Sequence, residues 1–562
     1  MNQENLNKEK RRTIAAILVL SLAAIGFFGF ISESGEADFF LKVYRSIDTY
    51  SRVYKEVAVN YVDTLDPEEV MRAGIDGMLK TLDPYTVYIG EKENDEIDLV
   101  TTGKYGGIGV TIGLRDGYVT VINLLEGFSA AKQGIEIGDR IIEIEGKPTK
   151  GITLESIRQL VRGDPGTEMK LKIEREGEKK PLDFTLVREE IRVRNVAYAG
   201  YVAEGIGYIR LERFSRSAGE DVRTAIKELQ GKGDLKGLVL DIRDNPGGLL
   251  ESAVDVVSKF IPEGSLVVST RGRKSESERK YFSSETPMLS TLPLAVLVNR
   301  YSASASEIVG GTIQDLDRGV IVGTRTFGKG LVQTIMRLSE NASLKMTTAR
   351  YYTPSGRCIQ EMDYWHRDGD GNATTIPDSM RHEFRTAHSR RVWESGGILP
   401  DTTLEDTVRS AYIGELNRKA LLFSYANHYA AEKKILPENF DTANDFVEDF
   451  ESFIKEKGFE YQDEGTVKLA ELRAVAAKSR YGKSFMEGID TLESVLNADK
   501  DRQIYRYEDE IRAALKTEIL ARMKGDKSRF ESTFAADKQL QASLGILRNK
   551  KVYERLLGLK GK

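Results

Sequence analysis

The chain has 562 residues, enough for about three or four domains with a substantial core, and a net charge of −5 spread evenly along it. That balance gives no hint of nucleic-acid binding. Its single cysteine, Cys358, excludes an internal disulfide and any cysteine-built metal site.

Lys8, Lys10, Arg11 and Arg12 precede an uncharged apolar run, Thr13 to Ile31. At about 19 residues the run is long enough to span a bilayer. Basic flanks stay inside, so residues 1–12 are expected in the cytoplasm and everything after Ser32 beyond the inner membrane, in the periplasm or its extracytoplasmic equivalent. A retained transmembrane anchor over 13–31 is the preferred reading. A signal sequence cleaved near Ser32-Glu33-Ser34 is the alternative.

Residues 38–99 read as an N-terminal helical segment. Phe40, Val43, Tyr44 and Ile47 share one helical face, and Val70, Ile75, Met78 and Leu79 form a second stripe, both expected to pack against a core. Leu82-Asp83-Pro84 ends the second helix, because a residue before proline leaves the helical region.

Over 100–190, Tyr105-Gly106-Gly107-Ile108-Gly109-Val110 is a glycine-rich turn leading into a strand. Successive backbone N–H groups there can cage an anion such as a chain-terminal carboxylate, and the strand edge beside it can pair with an extended peptide. Ser129 to Ile141 and the helix Leu154–Val161, with Leu154, Ile157 and Val161 inward, complete an ordered set that resembles a PDZ domain. Arg162 follows that helix, where it either contacts the core of the domain that follows or, as the default, is simply solvated.

From Ile191 onwards strands alternate with helices: Gly207–Leu211, Ala218–Leu229, Gly237–Arg243, then the turn Asn245-Pro246-Gly247-Gly248 and another helix. The alternation predicts a largely parallel α/β sheet, whose sites sit at the carboxyl ends of strands. Asp241 and Arg243 read as an ion pair that fixes a loop.

The buried strand Leu294–Val298 then runs into Asn299–Gln333, around which the chain is organised. Ser302, Ser304 and Ser306 lie in a small-residue turn before a helix read as Glu307–Leu316. Unpaired N–H groups converge at such a strand-to-helix turn, which suits a nucleophile beside an oxyanion hole. Gly247, Gly248 and Ala305 are the candidate donors. The four histidines, His366, His382, His388 and His428, sit in no motif. Lys329, between glycines and beside Phe327, does. Burial disfavours a charged lysine and can bring its pKa down to roughly 7–8, the range of a general base. Gln333 stands where it can orient the amine. Gly323 to Lys329 also looks like part of a phosphate-binding P-loop. But Gly330 replaces the serine or threonine, and Leu331–Ile335 reads as strand rather than helix.

Ser302-Ala-Ser-Ala-Ser-Glu-Ile308, Thr326-Phe-Gly-Lys-Gly330, Leu240-Asp-Ile-Arg-Asp-Asn-Pro-Gly-Gly248, Tyr351-Tyr-Thr-Pro-Ser-Gly-Arg357 and Gly397-Ile-Leu-Pro-Asp401 together resemble the carboxyl-terminal processing (tail-specific) protease family of serine peptidases. The resemblance implies an α/β protease core with a largely parallel, ClpP/crotonase-like sheet over 191–402, and a PDZ domain inserted at 100–190. An N-terminal helical segment and an all-α C-terminal extension, 403–562, flank them. It implies that Ser304 is the nucleophile, Lys329 the base and Gln333 its support, with Ser302 and Ser306 structural. It implies no metal or cofactor. It also places Tyr105–Val110 and Arg162 among the peptide-contacting PDZ residues.

About 35 polar residues, Glu361 to Ser395, interrupt the family pattern. Asp368-Gly-Asp370-Gly-Asn372 hints at calcium but fails the EF-hand spacing at Ala373 and Ser379, so a surface loop is expected. Residues 403–562 are helical and charged, and lie outside the resemblance. Self-association, an envelope adaptor or a guard over the substrate entrance are the roles considered. The reading that follows is a membrane-anchored serine endopeptidase acting on unfolded protein tails. A catalytically silent PDZ scaffold in the cell envelope is the alternative, and a nucleotide-binding protein the remote third.

Overall fold

The structure is a computed structural model that describes residues 34–559, except 91–101, 116, 340–341, 406–409, 438–439, 441–444 and 501–502. The basic segment 1–12 and the apolar run 13–31 lie outside the described residues. Among those that are described, no helix is long and apolar enough to cross a membrane. The chain divides into two compact units at Tyr88/Ile89.

The first unit pairs helix Ser34–Asn60 with helix Pro67–Leu79. Asp66 caps the second helix by accepting the Glu68 N–H at 2.8 Å, and proline at its first position costs no hydrogen bond. Tyr54 Oη donates to Pro67 O at 2.9 Å. The predicted apolar face does not find a core: Phe40 is 65 % and Tyr44 70 % exposed, with Val43 and Ile47 also exposed. The short second helix meets the long one near Tyr50 and Tyr54, and its 13 residues cannot cover all 27 of its neighbour.

In the second unit, the PDZ sheet runs Val110–Arg115, Tyr118–Leu124, Arg140–Ile144, Glu168–Glu174, Leu182–Val187, antiparallel throughout. Period-two alternation buries Met169, Leu171 and Ile173 and turns Lys170 and Lys172 outward. Thr153 caps helix Leu154–Val161, which lays Ile157 and Val161 on that core as read from the sequence.

The protease sheet is in the order Val196–Ala203, Ile206–Leu211, Gly237–Asp241, Leu294–Val298, Val320–Gly323, Thr402–Thr403. The first pair is antiparallel and the others parallel, matching the expected α/β class. Strand Leu294–Val298 is apolar throughout because both of its faces are covered. Helices Ala218–Lys232, Leu250–Ser258 and Ala305–Asp315 cover one face. The other is closed by the end of the chain: Leu540, Leu544 and Leu547 pack on Val239, Ala295, Leu297, Val320 and Val322.

The helical extension expected over 403–562 is therefore two things. Among the described residues, helices Ala411–Arg418, Leu421–Lys433, Asp445–Glu456 and Glu508–Lys524 build a core of their own around Leu416, Tyr425, Phe450, Ile511, Leu515 and Ile519. Residues 526–559 complete the protease core, which does not finish at Asp401. A second, antiparallel sheet of Leu266–Gly272, Arg279–Phe282, Leu331–Arg337 and Ser343–Tyr352 was not legible in the sequence. The insert 361–395 contains two hairpins, Met362–Arg367 with Ala373–Thr375 and Glu383–Arg385 with Arg391–Trp393. Asp368 spends its carboxylate on the first hairpin's turn, accepting the N–H groups of Asp370 and Asn372.

Candidate active site

Parallel strands Gly237–Asp241 and Leu294–Val298 end side by side, and the turns that follow them clasp each other. Asn245 O accepts the Ala303 N–H at 3.0 Å and the Ser306 hydroxyl at 2.8 Å. Asn299 Nδ2 donates to Asp244 Oδ1 at 2.8 Å. A methyl group on Gly247 would lie 2.9 Å from both Ser304 Cβ and Ala305 N, so only glycine lets the two turns meet.

Ser304 caps helix Ala305–Asp315 with φ 57° and ψ −114°. A non-glycine residue there stores about 1–3 kcal/mol of strain, which persists only where the surroundings impose it. The three serines of the turn are not equivalent. Ser302 Oγ donates to Ile242 O at 2.8 Å, and Ser306 Oγ to Asn245 O. Ser304 alone gives its hydroxyl to no acceptor among the described residues.

The residue that imposes the geometry is Glu307, which the sequence reading passed over. Its carboxylate is fully buried. Oε2 accepts the N–H of Ser304 at 2.8 Å and of Lys329 at 2.9 Å. Oε1 accepts the Gly328 N–H at 2.7 Å and the Thr326 hydroxyl at 2.6 Å. One side chain thus fastens the serine turn to the lysine loop. Burial pushes its pKa up to about 7, although those four donors all favour the carboxylate. The signal was in the sequence: Ser304-x-x-Glu307 has capping-box spacing.

Tyr351, buried in the second sheet, donates its hydroxyl to Ser304 O at 3.1 Å. The Lys329 side chain is half-buried, while Phe327, expected to help enclose it, is 47 % exposed. Strand Leu331–Arg337 follows directly, and not the helix a P-loop requires. Gln333 Nε2 donates to Thr347 Oγ1 at 3.1 Å. Of the oxyanion candidates, Gly247 N–H is engaged by Asn245 Oδ1 at 2.9 Å. Gly248 N–H donates to no acceptor among the described residues, and Ala305 N–H belongs to the first helical turn, where no intrahelical acceptor exists. All four histidines are engaged elsewhere: His366 with Asp363, His382 with Glu394, His388 with Leu557 O and His428 with Glu176.

Asp241 and Arg243 form the ion pair read from the sequence, at 2.5 Å, within a larger network. Burial alone would raise the Asp241 carboxyl, but Arg210 and Arg243 outweigh it and hold it well below the usual range. Arg243 reaches on to Asp537 at 2.7 Å, tying the end of strand Gly237–Asp241 to the C-terminal helices.

In the PDZ domain, Tyr105, Gly106 and Gly107 belong to a strand paired with Glu189–Ile191, and so are held in place. Ile108 is buried in the PDZ core. The Ile108–Gly109 turn remains open, with its two N–H groups given to no acceptor among the described residues. Gly109 has φ 82°, and any side chain there would strike Phe128 at 2.5 Å. Val110 begins the edge strand. Arg162 is not simply solvated: its guanidinium lies 5.2 Å from the centre of the Tyr105 ring.

Comparison with known proteins gives the family and its domains. Residues 205–364 match the model of peptidase family S41, 96–174 that of the PDZ domain, and 412–547 that of the probable PDZ-protease C-terminal helical domain. A carboxy-terminal-processing protease of Bartonella bacilliformis is 40 % identical over 320 residues, covering 56 % of this chain and 73 % of its own. The chain belongs to the carboxy-terminal-processing protease family. It is a serine-type peptidase with a PDZ domain. The carboxy-terminal processing protease CtpB of Bacillus subtilis is 32 % identical over 320 residues, covering 56 % of this chain and 66 % of its own. Among solved structures, a photosystem II D1 C-terminal processing protease aligns over 65 % of this chain and 92 % of its own, at 25 % identity and a TM-score of 0.35.

Proposed function

We propose that this peptidase cleaves protein tails by a Ser304–Lys329 dyad, with the PDZ domain capturing the tail's C-terminus. Ser304 Oγ attacks the scissile carbonyl as neutral Lys329 takes its proton. The oxyanion accepts hydrogen bonds from the backbone N–H groups of Gly248 and Ala305. Gly247, already bonded to Asn245, shapes the turn rather than donating. The lysinium then protonates the leaving amine, and water hydrolyses the acyl-enzyme. Gln333, on the strand that follows Lys329, is the residue proposed to support the lysine.

The observation that carries this reading is the Glu307 clamp, which ties the one serine of the turn whose hydroxyl donates to no acceptor among the described residues to the loop that bears Lys329. The histidines, each bonded elsewhere, support lysine as the base. The run Thr13 to Ile31 supports an extracytoplasmic enzyme held at the inner membrane.

The test incubates the full chain, Ser304→Ala and Lys329→Ala with an unstructured protein ending in small apolar residues, and reads the products by mass spectrometry. Cleavage by the wild type alone is expected. Activity surviving in Lys329→Ala would sink the assignment of the base, and no turnover by any of the three would favour the silent scaffold.

A further inference from the structure

The open edge of the PDZ sheet has two ends of different character. The anion-binding turn at Ile108–Gly109 precedes strand Val110–Arg115, and Arg115 ends it. A tail with its carboxylate on that turn and its backbone on this edge must run antiparallel to the strand. Strand residues advance about 3.3 Å each, so a tail residue about six from the C-terminus lies opposite Arg115. Whatever is further upstream leaves the groove there.

Beyond Arg115 opens a cleft of about 600 Å³ between the outer face of the PDZ sheet and the helical domain. Seven basic and three acidic side chains line it, in a chain whose net charge is −5. Several of the cations are laid on aromatic rings. Arg115 lies 5.7 Å from the centre of Phe423, Arg140 5.0 Å from Tyr118, Lys419 5.2 Å from Phe459 and Lys457 5.3 Å from Phe453. Lys179 and Lys180 stand exposed on the rim. Of the opposing charges, Glu176 is turned to His428 at 3.0 Å, while Glu174 and Glu178 remain on the wall. Arg175 is spent on Asp139 and Glu136, and adds little to the balance.

We infer that this cleft is a second subsite for the substrate tail, selecting acidic side chains about six to ten residues upstream of the C-terminus. The inference rests on the reading that the PDZ domain captures tails. It adds the chemistry of the tail: a small apolar end preceded by an acidic stretch. Both walls contribute, so the helical domain takes part in choosing substrates.

The full chain carrying Ser304→Ala binds without cutting, and fluorescence anisotropy reads its affinity for labelled peptides. All peptides share the same last five residues. One carries four glutamates immediately upstream and one carries four glutamines, and each is also made with an amidated C-terminus. The acidic peptide is expected to bind about fivefold to tenfold more tightly, as two or three exposed ion pairs acting together supply. That advantage should shrink in high salt and vanish in Lys180→Glu/Lys457→Glu, which should bind the glutamine peptide as before. Equal affinity for the two peptides, with amidation still weakening both, overturns the subsite and leaves tail capture standing. Binding that ignores amidation in both peptides overturns tail capture itself. An acidic preference that survives charge reversal overturns the location.

Discussion

Glu307 Oε2 accepts the backbone N–H of Lys329 at 2.9 Å, and Glu307 lies three positions after Ser304, the serine proposed as the partner of that lysine. The same oxygen holds the Ser304 N–H, so this carboxylate joins the two turns alongside the Phe327 N–H that donates to Ser302 O at 3.0 Å. Replacing it by an amide turns an NH₂ group towards N–H donors that need an acceptor. Leaving such a buried group unsatisfied costs about 1–3 kcal/mol. Glu307→Gln is expected to lower kcat by about 10²-fold with little change in KM, because misplacement of about 1 Å costs that much. Steady-state kinetics on a peptide substrate checks this. An unchanged kcat would remove Glu307 from the positioning of the dyad.

The same carboxyl makes stability depend on pH. Its folded pKa, raised to about 7 by burial, lies above the ordinary value of 4.5. Between those values the folded chain binds a proton that the unfolded chain does not, so stability falls as pH rises from about 4.5 to about 7 and then levels off. The full effect is at most about 3 kcal/mol. Protonated, Oε1 can donate to Thr326 Oγ1, 2.6 Å away. Urea unfolding of the wild type and of Glu307→Gln at pH 5, 6 and 7 should show the gap between them closing as pH rises. A constant gap would mean that the carboxylate is ionised throughout.

The serine turn offers a cleaner separation of chemistry from structure. Ser302 and Ser306 each spend their hydroxyl on a buried carbonyl. Ser302→Ala and Ser306→Ala should each lose about 1 kcal/mol of stability and keep labelling by a serine-reactive phosphonate. Ser304→Ala should lose all labelling and almost no stability. Labelling that persists in Ser304→Ala would place the nucleophile elsewhere.

Much of this site was legible in the sequence. The apolar run Leu294–Val298, the serines after it and the glycines around Lys329 give the strand, the turn and the loop in order, because each is fixed by local pattern. Glu307 was missed because it was read as the first residue of a helix, although the helix begins at Ala305 and Glu307 completes its cap. The second sheet escaped notice because strand Ser343–Tyr352 is mostly half-buried and shows no clean alternation. Arg162 looked solvated because nothing local announces that Tyr105 lies under it. What a helical stripe packs against is a tertiary fact, and the C-terminal helices show it most plainly.

Helix Lys538–Arg548 reads as one more amphipathic helix of a charged extension, yet Leu540 and Leu544 cover the protease sheet. Asp537, at its start, holds Arg243, which in turn pairs with Asp241 at the end of the strand that leads to the Gly247–Gly248 turn. Leu544→Ala removes a buried side chain from this layer and should cost about 2–5 kcal/mol. Asp537→Ala leaves the core packed but leaves Arg243 held on that side by Gln539 alone, so it should cost less stability and more activity. Urea unfolding and peptide turnover on both variants decide the matter. If Leu544→Ala were as stable as the wild type, residues 526–559 would be an appendage, and the sheet would need another cover. If Asp537→Ala kept full turnover, the end of the chain would support the fold without reaching the catalytic turn.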